Sequence, residues 1–175
     1  MDKITKKKIS GFTVMEMFVV LGFIILMMGI LIVYNRAGER QIILFREQYS
    51  ITNAIVQAKS LAIATFGRPN VPCGYGVHFN SGGDYFIYED VAIDCNQAGR
   101  DRSYPGNPSL IVSSFKLPLG ISFSGLSVSD IVFAPPEPKI YIYPDQDPAI
   151  IIIKVDVEGT SVQIKVNKAG QISTQ

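Results

Sequence analysis

From Val14 to Val33 the chain is a run of apolar and small residues broken by one charge, Glu16. Such a run is long enough to cross a bilayer core as a helix, which takes roughly 20 residues. Beyond it the pattern stays helical but becomes one-sided. Residues 36–66 contain no proline and one glycine, Gly38. Apolar positions recur at Ile42, Phe45, Tyr49 and Val56, with Leu44, Ile51, Ile55, Ala58 and Ala62 widening the stripe. Arg40, Arg46, Glu47, Gln57 and Lys59 lie between them, and Gly67-Arg68-Pro69 supplies a helix stop. The pattern predicts a nearly continuous helix over 12–66. Its first half, 12–33, is apolar all round; its second half, 34–66, is amphipathic and suited to packing on a sheet.

After Gly74 the period shortens. Tyr75–Phe79 and Tyr85–Glu89 flank a turn-rich Asn80-Ser81-Gly82-Gly83-Asp84 and predict a hairpin. The polar stretch 94–108, with Gly99, Pro105, Gly106 and Pro108, reads as an irregular loop. Further strands are predicted at 110–116, 121–123, 131–133, 139–143, 150–157, 161–167 and 171–173, with the clearest hairpin turning at Glu158-Gly159. Ile150–Ile153 is apolar on both faces and predicts a central strand covered on both sides. The predicted class is α+β: one long N-terminal helix packed on an antiparallel sheet in a β-rich domain over 67–175.

A basic leader precedes the apolar run: Lys3, Lys6, Lys7 and Lys8, then Ser10, Gly11, Phe12, Thr13 and, four residues past the phenylalanine, Glu16. The lysines hold the N-terminus in the cytoplasm if the run is a membrane span. An ordinary secretory signal has its small-residue cleavage site after a shorter apolar core; here the one suitable site precedes a core that is too long. An uncleaved signal anchor satisfies the charge pattern but gives Glu16 no role.

The segment Gly11-Phe12-Thr13-x-x-Glu16 resembles the processing site of the type IV pilin and type II secretion pseudopilin superfamily. The resemblance implies removal of a leader, residues 1–11, by a prepilin peptidase cutting between Gly11 and Phe12, with N-methylation of Phe12. It also implies that Glu16 meets the Phe12 amine of a neighbouring subunit and so sets the register of assembly. A proline common in relatives near the end of the apolar half is absent, with Val33 at that place, and the glycines stand at Gly22 and Gly29. Near the C-terminus, Ile131-Val132-Phe133-Ala134-Pro135 and Val166-Asn167-Lys168-Ala169-Gly170-Gln171-Ile172 look like the ending of H-type minor pseudopilins and minor pilins. A major pilin or another minor type competes with that reading.

Composition and chemistry narrow the alternatives. Net charge is +1, and removal of residues 1–11 takes away four lysines and Asp2, leaving 12 basic and 14 acidic side chains, a net of −2. That is no electrostatic footprint for nucleic acid; Arg100 and Arg102 are close in sequence, but Asp94 and Asp101 are nearby. Cys73 and Cys95 are the two cysteines. Outside the cytoplasm such a pair reads as a disulfide, with two buried free thiols as the alternative. Two cysteines and the single His78 have no recognised metal-ligand spacing, and no metal or other cofactor is expected. Asp145-Gln146-Asp147 resembles a calcium loop only loosely and reads as a solvated turn. No nucleophile elbow or phosphate loop is present, so no catalytic residues are assigned and an enzyme is not expected. The resemblance implies a structural subunit in the inner membrane, with its N-terminus in the cytoplasm and its β-rich domain in the periplasm. Its partners would be prepilin peptidase, other pilin or pseudopilin subunits, an assembly-platform membrane protein and membrane lipid. The alternative is an uncleaved, single-span, signal-anchored extracytoplasmic binding domain.

Overall fold

A computed structural model describes residues 13–67, 72–95, 97, 100–135, 139–156 and 159–175. The chain divides into two units, Met1–Arg40 and Gln41–Gln175. Helix α1 (Val14–Thr65) begins in the first and continues into the second. Within the first unit, Val14–Ile32 is long and apolar enough to cross a membrane, and its side chains are exposed. Of the proposed helix-stop residues, Gly67 takes a left-handed φ of 81°, whereas Arg68 and Pro69 lie outside the described residues.

The second unit is α+β. Its strands are β1 (Gly74–Phe79), β2 (Asp84–Asp90), β3 (Ile111–Lys116), β4 (Ile121–Leu126), β5 (Asp130–Ala134), β6 (Lys139–Tyr143), β7 (Ala149–Val155), β8 (Ser161–Val166) and β9 (Ile172–Thr174). Where one sheet was expected there are two, in the orders β3-β2-β1-β5-β6 and β4-β7-β8-β9. All pairings are antiparallel. The division follows from the chain's turns: β4 pairs with the distant β7 rather than with its sequence neighbours.

The core bears out one part of the predicted helix stripe and corrects the other. Leu44, Ile51, Ala54, Ile55, Ala58 and Ala62 are buried against both sheets, meeting residues such as Val77, Ile131, Phe133, Ile151 and Ile164. Ile42, Phe45, Tyr49 and Val56, the positions that defined the expected stripe, are exposed. Residues two apart lie about 200° around a helix axis, so 42 and 44 cannot share a face. The alanines decide which face is buried: Ala54, Ala58 and Ala62 let the helix backbone approach the sheets closely. Ile51→Ala should therefore cost about 2–5 kcal/mol in chemical denaturation. Phe45→Ser, on the other side, should change stability by about 0.5 kcal/mol or less.

Strand β7 gives a second correction. It is central, between β4 and β8, but only alternate residues are buried, Ile151 and Ile153 inward, while Ile150 and Ile152 are half-covered. No second layer covers that face among the described residues. Gly125 on β4 leaves the space into which Ile152 leans, since a Cβ there would stand 3.2 Å from Ile152 Cδ1.

The β8–β9 turn is built by Asn167 and Gly170. Asn167 Oδ1 accepts the Gln171 N–H at 2.9 Å, and the Gly170 N–H donates to the Asn167 carbonyl at 2.9 Å. Gly170 has φ 79° and approaches Ile140 so closely that a Cβ would lie 2.9 Å from its Cδ1. A side chain at 170 would be both strained and crowded.

Candidate functional site: the head of the apolar helix and the tethered loop

Gly11 and Phe12, the residues of the expected cleavage and methylation, lie outside the described residues. Glu16 is described. Thr13 N and Thr13 Oγ1 both donate to Glu16 Oε2, at 2.8 and 2.9 Å. In return, Glu16 N donates to Thr13 Oγ1 at 3.3 Å, and the first helical bond runs from Met17 N to the Thr13 carbonyl at 3.2 Å. This reciprocal arrangement is a capping box, which satisfies donors that the first helical turn otherwise leaves free. The signal was present in Thr13-Val14-Met15-Glu16, a threonine followed three residues later by glutamate ahead of an apolar run. Glu16 thus has a partner within its own chain.

The cysteines sit in the second unit, where Cys73 and Cys95 form a disulfide, S–S 2.00 Å. The bond ties the start of β1 to the polar stretch after β2. That stretch, expected as an irregular loop, has neither helix nor strand between Asp94 and Asn107 among its described residues. It packs across the face of the five-stranded sheet that points away from α1. Tyr104 sets its ring on Phe86 (4.7 Å between centroids), Tyr88 (5.3 Å) and His78 (5.4 Å). Gly76 makes room beneath, because a Cβ there would meet the Tyr88 ring at 2.6 Å. The buried Tyr88 hydroxyl donates to the Arg102 carbonyl at 2.9 Å, and burial pushes its pKa far up. Reducing the disulfide reopens a loop with a sequence separation of 22 and should lower stability by about 3 kcal/mol, measurable as a fall in denaturation midpoint with reductant.

Polar anchors hold the same loop. Asp130, almost fully buried, accepts from His78 Nδ1 at 2.9 Å, from Ser129 Oγ at 2.7 Å and from the Tyr104 N–H at 3.2 Å. Ser129 reaches the aspartate and not the histidine, so the three do not form a nucleophile–base pair; His78 is a packed strand residue. Arg100 and Arg102 converge on Asp90 at the end of β2. Burial pushes the Asp90 carboxyl up, and the two guanidiniums pull it back. Sequence reasoning missed Asp90, because nothing in a strand ending Glu89-Asp90 says which carboxylate faces inward.

Asp145 and Asp147 are both engaged by Lys168. Its Nζ lies 2.5 Å from Asp145 Oδ1, and its backbone N–H donates to Asp147 Oδ1 at 3.2 Å. Among the described residues no cluster of His, Cys, Asp and Glu could hold a metal ion. Comparison with family models, with curated proteins and with solved structures finds no match for this chain.

Proposed function

We propose that this protein is a structural minor subunit of a type IV pilus or a type II secretion pseudopilus. The observation that carries the reading is a basic leader ending at Gly11, followed by Phe12-Thr13-x-x-Glu16 at the head of the apolar first part of α1. An α+β unit following that helix supports it. Prepilin peptidase cuts after Gly11, and the new Phe12 amine is methylated. The mature chain stays in the inner membrane through the apolar half of α1. An assembly platform then moves it into a filament, where apolar helices pack on one another and lose lipid contact. Glu16 leaves its own Thr13 and meets a neighbour's Phe12 amine, a pairing that fixes register more than it adds affinity. The ending Val166-Asn167-Lys168-Ala169-Gly170-Gln171-Ile172 favours the H-type minor class.

The capping box favours a second reading, the uncleaved anchor of an extracytoplasmic binding domain, because it accounts for Glu16 without any neighbour. Fractionation separates the two. In cells with the whole assembly machinery, the filament reading puts the chain in the sedimenting filament fraction, and confines it to membranes when the peptidase is deleted. A chain confined to membranes in both strains would overturn it.

A further inference from the structure

Asp90 receives two cations. Arg100 Nη2 donates to its Oδ1, and Arg102 Nη1 donates to its Oδ2 at 2.7 Å. The side chains are nearly closed off from solvent: 10% exposed for Arg100, 9% for Arg102 and 6% for Asp90. Two guanidiniums share this one carboxylate. Arg102 uses the rest of its fork, giving Nη2 to the Cys95 carbonyl at 2.7 Å and laying its plane over the Tyr141 ring at 4.4 Å. Arg100 does not. Its Nη1 is buried and has no hydrogen-bond partner among the described residues, a costly state for a charged donor.

Arg100 lines a cavity of about 550 Å³, together with Arg102, Tyr141, Tyr143 and Lys168. The volume falls within the range of small-ligand sites, roughly 300–1,000 Å³. Strand β6, at the edge of its sheet, forms one wall. Two carboxylates also line the cavity, and both have partners: Asp145 holds Lys168 Nζ, and Asp101 accepts the Ser103 N–H at 2.8 Å.

We propose that this cavity binds a small molecule through an oxyanion, a carboxylate or a phosphate, received by the Arg100 guanidinium. The planar fork matches both groups. The rings of Tyr141 and Tyr143 supply the surface for the rest of the ligand. The site does not depend on filament assembly and would serve an anchored binding domain equally well.

The test uses the full chain in detergent micelles, titrated with sodium acetate and, separately, with inorganic phosphate, at ionic strength held constant with chloride. Melting is followed by tyrosine near-ultraviolet circular dichroism. One of the two anions should raise the midpoint saturably, by about 3–5 °C at ten times its dissociation constant, and the responding anion identifies the group. Arg100→Gln should abolish the response. Arg100→Lys, which keeps the charge but loses the planar fork, is a second variant that should weaken the response if Arg100→Gln does not fold. Equal shifts in wild type and Arg100→Gln would overturn the proposal, as would no saturable shift with either anion in the wild type.

Discussion

Glu16→Gln should leave the protein folded, membrane-bound and processed, yet reduce its recovery in filaments by about tenfold or more. Glutamine serves at the third position of a capping box as glutamate does, so the bonds from Thr13 survive the change. What is lost is the negative charge that would meet a methylated Phe12 amine in apolar surroundings. The substitution therefore separates two roles that the wild-type residue combines. Recovery is read by quantitative immunoblotting of the sedimented filament fraction against total membrane. Unchanged recovery would assign Glu16 to helix capping alone.

Asp90→Ala should be the most damaging single change in the second unit, costing about 3–5 kcal/mol. It strands two guanidiniums that are 9–10% exposed and frees the loop that carries Tyr104 over the sheet. Replacing the whole cluster with apolar residues, as in Asp90→Leu with Arg100→Met and Arg102→Met, should recover much of that loss, because no charge is then left unpaired. Urea denaturation of the three-residue variant and of the single variant checks both. A loss below about 1 kcal/mol for Asp90→Ala would mean that the ion pairs contribute little beyond what water could supply.

The α+β class and the strand positions were legible because they depend on local signals. Turn glycines bracket the strands, and β6 was placed at its observed limits, Lys139–Tyr143. The buried face of α1 was legible only in part: Leu44, Ile51, Ile55, Ala58 and Ala62 were in the expected stripe, but so were residues of the opposite side. Apolar residues occur on two opposite sides of the helix between 42 and 63, and hydrophobicity alone cannot rank Phe45 below Ala58. Only the geometry of close packing does so, through the small side chains of Ala54, Ala58 and Ala62. The split into two sheets was hidden for another reason, since the β4–β7 pairing joins segments far apart in the chain.

At the candidate sites the same division holds. The Thr13-x-x-Glu16 capping pattern was readable but was overshadowed by the processing motif that shares its residues. The Asp90 cluster was unreadable, because pairing Asp90 with Arg100 and Arg102 requires the path of the loop between them. The exposed Ile42, Phe45, Tyr49 and Val56 belong to the side of α1 that the sheets leave uncovered.

The mass of the N-terminal peptide of the membrane-extracted protein, from cells with and without a prepilin peptidase, tests the filament-subunit reading most directly. The account predicts a peptide that begins at Phe12 and carries one added methyl group, found only when the peptidase is present. A chain beginning at or near Met1 in both strains would contradict it and leave an anchored extracytoplasmic domain.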